Sequence, residues 1–366
     1  MTSRECCIAC NCISGIGYQT FNKLVQYFGS AQDIPGHPAQ EYMQVKGIGE
    51  KTADLLENTN FELIFEQEIN RAERADAHII SICDSDYPES LKSISSPPLV
   101  LYIKGRLPRD FSRSIGIVGS RRITGFAAEF TRKIAFEAAM NGFIVVSGLA
   151  FGADKAAHLG TLDANAVTIA VIGSGLENIY PKEHEKLARD IINAGGAVIS
   201  EQPMSFPVSS TGFHRRNRII AGLSRGVLVT EAGVSSGSMI TAEHAVKFGR
   251  PVFAVPGRLD NANVSGCHKL IKEGAFLTES FRDIAEKLGT SVQAGSAVKA
   301  SEPAPPPELT EQESAICTAI KNGCSSVDAL VDALGIPVGD LNSALLLLEM
   351  RDIVVLDRNL TYRVLI

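Results

Sequence analysis

Between residues 76 and 290, short unbroken apolar runs alternate with longer amphipathic stretches. The runs Ile115-Gly116-Ile117-Val118-Gly119, Phe143-Ile144-Val145-Val146, Val167-Thr168-Ile169-Ala170-Val171-Ile172, Val198-Ile199-Ser200, Val227-Leu228-Val229-Thr230 and Val252-Phe253-Ala254-Val255 read as strands. Residues 127–141, 154–162, 183–194, 215–223 and 239–248 carry helical spacing, as in Phe130, Ile134 and Ala138. Pro181 starts the third of these stretches and Gly195-Gly196 stops it. Strands apolar throughout, with helices between them, predict a parallel sheet covered on both faces. The expected fold is a doubly wound, extended Rossmann-like α/β domain, which takes ligands at the carboxyl ends of its strands.

The flanks are patterned differently. Gly15-Ile16-Gly17 and Gly47-Ile48-Gly49 each precede an amphipathic stretch, the spacing of a pair of helix-hairpin-helix units. Such a unit either offers glycine amides to a DNA backbone or serves as a small interaction module. Residues 311–321, 326–334 and 338–350 read as three helices, and 353–356 and 362–366 as two short strands, a winged-helix outline. Its third helix offers Asp340, Asn342 and Glu349 and no basic residue, which favours a protein-contact module over a duplex-reading transcription factor. Residues 293–307 are small and proline-rich, a linker. The expected division is 1–75 helical, 76–290 sheet domain, 291–308 linker and 309–366 winged helix.

At 366 residues and 45% hydrophobic, the chain has a globular composition. No apolar run has the length of a membrane span, and the first residues lack a secretory pattern, so a cytoplasmic setting with reduced thiols is expected. Cys7-x-x-Cys10, within a cluster that also holds Cys6 and Cys12, has the spacing of a zinc or redox pair but no second short-spaced pair. The plainer reading is small apolar core residues on a helix. The net charge of −6 argues against a nucleic-acid partner until it is divided by segment. The helical and winged segments each carry −4 and the linker −1, which leaves +3 on the sheet domain.

Four stretches of that domain could carry chemistry. Gly119-Ser120-Arg121-Arg122 ends the first core strand, where glycine amides and arginines suit a phosphate. Gly173-Ser174-Gly175, followed by Tyr180-Pro181-Lys182, is half of a dinucleotide fingerprint. From Gln202 to Thr230 there is no acidic residue, yet Phe213, Arg215, Arg216, Asn217, Arg218 and Arg225 fall within it. An aromatic beside arginines and an amide suits single-stranded nucleic acid, with bases stacked on the ring. Ser236-Gly237-Ser238, near Glu231 and Glu243, reads either as an anion-binding turn or as part of a nucleotide-processing enzyme's pocket. No P-loop, nucleophile elbow or His-Glu-x-x-His motif is present, and no cofactor, metal or catalytic set is expected.

Several of these strings together resemble the DNA-processing protein A family, DprA, also called Smf. They include Ser147-Gly148-Leu149-Ala150-x-Gly152-x-Asp154, Gly173-x-Gly175-Leu176-x-x-x-Tyr180-Pro181, Arg216-Asn217-Arg218-Ile219-Ile220-Ala221-Gly222 and Gly249-Arg250-x-Val252-x-Ala254-Val255-Pro256-Gly257. The resemblance implies a protein without enzymatic activity that binds single-stranded DNA, displaces single-strand binding protein and loads the RecA recombinase in natural transformation. It also implies a homodimer formed through the Rossmann domain. Ser120 and Arg121 would hold phosphates, and Lys182 would extend the basic pocket. Phe213 would stack on a base amid Arg216, Asn217 and Arg218, with Gly237-Ser238 nearby. His214 stands where the family often has proline. The competing enzyme reading, a phosphoribohydrolase of the lysine-decarboxylase-like type, lacks that family's Pro-Gly-Gly-x-Gly-Thr string.

Overall fold

The computed structural model describes residues 1–290, 309–350, 353–356 and 361–364; the linker expected at 291–308 lies outside them. Five helices open the chain: α1 (Ser3–Cys12), α2 (Tyr18–Phe28), α3 (Ala39–Tyr42), α4 (Glu50–Glu57) and α5 (Phe61–Arg74). The sheet unit then runs β1 (His78–Ser81), α6 (Glu89–Lys92), β2 (Val100–Gly105), β3 (Ser114–Val118), α7 (Gly125–Met140), β4 (Ile144–Ser147), α8 (Ala153–Asp163) and β5 (Thr168–Val171). It continues with α9 (Glu185–Asn193), β6 (Ala197–Ser200), α10 (Ser210–Leu223), β7 (Val227–Val229), α11 (Gly237–Lys247), β8 (Val252–Ala254), α12 (Ser265–Lys272), β9 (Phe276–Leu277) and α13 (Phe281–Lys287).

The nine strands lie in the order β1-β2-β6-β5-β4-β3-β7-β8-β9. From β6 to β9 the pairing is parallel, as expected. The chain builds outward from β3 to β6 and then returns to the other side of β3 with β7, which puts a topological switch point between β3 and β7. Strands β1 and β2, absent from the sequence reading, add an antiparallel edge, so the sheet is mixed rather than wholly parallel.

Side chains alternate between the two faces of the sheet. Val146, Ile169, Val171, Ile199, Val227 and Val229 pack with Ile219 and Ile220 of α10 and Met239 of α11. On the opposite face, Ile115, Ile117, Val145, Leu228 and Phe253 pack with Ile134 of α7 and Ala157 of α8. Residues 1–75 share a core with this face. Cys6, Cys10, Leu24 and Leu56 belong to the same buried cluster as Tyr102, Ala170, Ile191 and Val198. The chain accordingly divides into only two compact units, 1–293 and 294–366, with no gap at residue 75. The α1 cysteines Cys6, Cys7 and Cys10 are core residues with no exposed surface. Among the described residues no three metal-ligating groups come together.

The second unit has α14 (Glu311–Lys321), α15 (Val327–Leu334), α16 (Val338–Met350) and an antiparallel hairpin of β10 (Val354–Leu356) and β11 (Tyr362–Val364). Ile316, Leu330, Leu341, Leu345, Leu348 and Val354 form its core. The outward side of α16 shows Asn342, Leu346 and Leu347, a face with no cation among its described residues. Among the described residues no single helix is long and apolar enough to cross a membrane.

His158 of α8 is fully buried. The Thr168 hydroxyl donates to the Val145 carbonyl, so it accepts from His158 Nδ1–H at 2.8 Å. Burial holds this imidazole neutral and lowers its pKa from 6.5 to about 3. The folded state resists a proton that the unfolded chain takes up near pH 6.5, so the unfolded state binds more protons below that pH. The stability this contributes is complete above pH 6.5 and is lost as pH falls toward 3, by up to about 1.4 kcal/mol per unit. Urea midpoints measured between about pH 7 and about pH 5 should fall more steeply for the wild type than for His158→Gln. Parallel slopes would show that this buried histidine does not govern the acid loss.

Candidate nucleic-acid interface

Helix α10 runs along one face of the sheet, from the carboxyl ends of β4 and β5 to the amino end of β3, where its Leu223 carbonyl accepts from the Ser114 hydroxyl. It starts at Ser210, five residues before the expected 215, because Ser209 caps it by accepting from the Gly212 amide at 3.1 Å. Gly212 permits close approach: a Cβ there would lie 2.2 Å from the Gly173 carbonyl oxygen after β5. The earlier start places Phe213 and His214 on the first turns of a helix rather than on a loop.

Arg216 is only 6% exposed and lies beneath the strand ends. Its Nη1 donates to the Gly148 carbonyl after β4 at 2.5 Å and also to the Val171 carbonyl of β5. Gly148 is required beside it, because a Cβ at that position would overlap the guanidinium. Asp154, at the start of α8, supplies the countercharge. Burial pushes the Asp154 carboxyl above its usual range, and Arg216 opposes that shift. The neighbouring Asn217 donates to the Gly237 carbonyl at the start of α11, at 3.0 Å. Arg216 and Asn217 are therefore occupied in holding three strand-end loops together.

Above this floor opens a cleft of about 510 Å³. Gly119, Arg121, Tyr180, Phe213, His214, Gly237 and Ser238 are among its lining residues. The guanidinium carbon of Arg121 sits 5.1 Å from the centre of the half-buried Phe213 ring. The exposed Tyr180 ring lies 5.7 Å from Phe213, centre to centre. The amino ends of α10 and α11 both meet the cleft, and Ser236 caps α11 through the Ser238 amide. Two helix starts, one exposed arginine and an aromatic pair make a site suited to a phosphate with an adjoining planar ring.

The other expected residues fall elsewhere. Ser120 accepts from the Arg122 amide through its hydroxyl, and Arg122 is exposed outside the cleft lining. Lys182 is also exposed, two residues beyond Tyr180. Arg215 and Arg218 line a different cleft, and Arg218 is ion-paired with Glu201. Tyr180, Asp154 and Ser236 stand within the sequence's motif strings but not among its expected single-strand-binding residues, and the structure brings all three to the cleft. The Tyr180-Pro181 pair beside Lys182 was the available signal for the first of them. Glu231, the acid that the enzyme reading requires, accepts from the Thr124 amide and hydroxyl, the latter at 2.7 Å. Glu243 lines a larger depression of about 1200 Å³ at the amino ends of β7 and β8. Neither acid is placed to serve as a base in the Phe213 cleft.

Arg216→Met should cost about 3–5 kcal/mol of unfolding free energy, because it leaves Asp154 buried without its countercharge and strips two carbonyls of their donor. Arg216→Met combined with Asp154→Asn should recover part of that loss. Urea denaturation checks both; a single variant within about 1 kcal/mol of wild type would contradict the assigned role.

The chain matches the family described as DNA recombination-mediator protein A over residues 78–289. It also matches the DprA winged helix domain over 300–355. Protein Smf of Synechocystis is 32% identical to it over 96% of both chains. An X-ray structure of DNA processing protein A from Streptococcus pneumoniae is 33% identical and superposes with a TM-score of 0.67, covering 78% of this chain and 98% of that one. A structure of DNA processing protein A from Helicobacter pylori, whose subject is that protein's single-stranded DNA binding mode, is 29% identical with a TM-score of 0.51, covering 58% and 95%. With both modules matched and nearly the whole chain aligned to a full-length relative, the protein belongs to the DprA/Smf family of DNA recombination mediators.

Proposed function

We propose that this protein binds single-stranded DNA at the carboxyl ends of its parallel strands and delivers it to the RecA recombinase during natural transformation, displacing single-strand binding protein. Its family is one of recombination mediators, not enzymes. The observation that carries the reading is the half-buried Phe213 ring at the mouth of the cleft, with Arg121 over it and Tyr180 beside it. In the free protein the guanidinium occupies a position against the ring. A base would take a face of the ring, and Arg121 would turn to the adjoining phosphate, exchanging a cation–π contact for a charge-assisted one. The amide at Gly237 would donate to the same phosphate or the next. The Helicobacter pylori relative, which binds single-stranded DNA, supports this reading.

Assembly as a homodimer through the sheet unit belongs to the same proposal. Strand β9 ends the sheet with Phe276 and Leu277 both exposed, and an open edge of this kind favours pairing.

Fluorescence anisotropy with oligothymidine across a salt series tests the binding. Phe213→Ala should weaken it by about 1–3 kcal/mol, the value of one stacked base. Arg121→Ala should weaken it and flatten the log–log salt dependence by about 0.7, one phosphate's worth. Unchanged affinity in both variants would refute the site.

A further inference from the structure

The cysteines of this chain are unevenly placed. Cys6, Cys7 and Cys10 of α1 are enclosed in the core, whereas Cys83, in the turn that follows β1, is the one exposed thiol among the described residues. Cys7 and Cys83 are 76 residues apart in sequence, yet their sulfur atoms lie 3.6 Å from each other. Other cysteines turn to different partners: Cys12 meets the Tyr102 hydroxyl at 3.8 Å, and Cys267 donates to the Val229 carbonyl.

The sulfur pair is held together by its surroundings. Arg4, about one helical turn before Cys7 on α1, donates through Nε to Asp84 at 3.2 Å and through Nη2 to the Ile79 carbonyl of β1 at 3.0 Å. The same Asp84 oxygen accepts from the Ser81 amide at 2.8 Å, and the Ser81 hydroxyl accepts from the Cys83 amide at 3.3 Å. Helix α1 and the turn that carries Cys83 are thus tied to each other beside the two sulfurs. A disulfide brings its sulfurs to about 2.0 Å, so a closure of about 1.6 Å joins this pair. Cys83, on the surface, is the partner with room to move.

The two thiols are not equivalent. Cys83 receives the hydrogen bond of its partner, which outweighs its own partial burial and lowers its pKa from 9.0 to about 7. The same hydrogen bond, with burial, pushes Cys7 upward. Near neutral pH one sulfur is in good part an exposed thiolate, and the other is a buried thiol that donates to it. The thiolate is the nucleophile in thiol chemistry, so an oxidant in solution meets Cys83 first and Cys7 stands ready as the resolving group.

We propose that Cys7 and Cys83 form a reversible disulfide, made by hydrogen peroxide and opened by a thiol, that fastens α1 to the turn after β1. The Cys83 thiolate attacks one peroxide oxygen and the O–O bond breaks. Cys83 becomes a sulfenic acid, and the departing hydroxide takes a proton from solvent to leave as water. The Cys7 sulfur then attacks the Cys83 sulfur, the S–O bond breaks, and the hydroxide leaves as a second water with the Cys7 proton. Two thiols are oxidised by two electrons and one peroxide is reduced to two waters. In the reverse direction a reducing thiolate attacks the exposed Cys83 sulfur and releases Cys7. The link constrains the unfolded chain across 76 residues and so stabilises the fold. The inference does not depend on the single-strand reading above.

Treating the reduced full chain with a small molar excess of hydrogen peroxide, blocking the remaining thiols and mapping peptides by mass spectrometry without reductant tests the site. The expected main product joins Cys7 to Cys83 within one chain and disappears with dithiothreitol. Oxidation should raise the thermal midpoint by about 5 °C, and reduction should restore it. Cys83→Ser, a substitution at an exposed position, should remove both the link and the rise. In Cys7→Ala the sulfenic acid at Cys83 should persist and be captured by dimedone. Cys83 left as a free thiol, joined to a different cysteine, or carried to sulfinic acid without a link in the wild type would overturn the proposal. So would a Cys83→Ser chain whose midpoint rises on oxidation as much as the wild type's.

Discussion

The guanidinium of Arg216 holds the carboxyl edge of the parallel sheet together. A parallel sheet leaves its strand ends as separate loops, and the loops after β4 and β5 here are joined by one buried cation that donates to a carbonyl on each. A buried cation is costly unless it is paired and hydrogen-bonded. Asp154 and the carbonyls meet that requirement, and Gly148 makes room for it. The same helix turn ties down α11 through Asn217. The cleft above can thus be polar and open while its floor stays fixed.

Helix α10 distributes the remaining work by its periodicity. One side carries Phe213 over the strand ends, the next carries Ile219 and Ile220 into the sheet's core, and another turns Arg215 and Arg218 toward the helical module. Because residues 1–75 share a buried core with the sheet, the Gly15-Ile16-Gly17 turn is held against this helix within one compact unit. A chain with a net charge of −6 can in this way present local basic clefts, since the acid of its flanking segments is distributed elsewhere.

Much of the sheet was legible because a strand buried on both faces must be apolar throughout, and the six parallel core strands were located on that basis. Strand β1, His78-Ile79-Ile80-Ser81, was not read, because it is short and mixed in pattern and its pairing is with β2. The start of α10 was hidden by Ser209-Ser210-Thr211-Gly212, a loop-like string in which one serine is a cap and the glycine answers a carbonyl distant in sequence. The arginine run was visible as a run, but not its division. Charge and spacing do not distinguish Arg121, exposed beside an aromatic ring, from Arg216, which is buried in carbonyls, or Arg218, which is paired with Glu201. Those differences depend on what the sheet brings opposite each residue. The boundary expected at residue 75 followed a change in composition, which does not register that the helices' apolar faces close over the sheet.

A structure of the full chain with a short oligothymidine bound tests the central claim most directly. The account predicts a base stacked on Phe213 and a phosphate within hydrogen-bonding distance of Arg121 and the Gly237 amide, with Arg216 still bonded to the Gly148 and Val171 carbonyls. A strand seated away from the strand ends, for example in the depression at the amino ends of β7 and β8, or an Arg216 released from the floor to meet a phosphate, would contradict it.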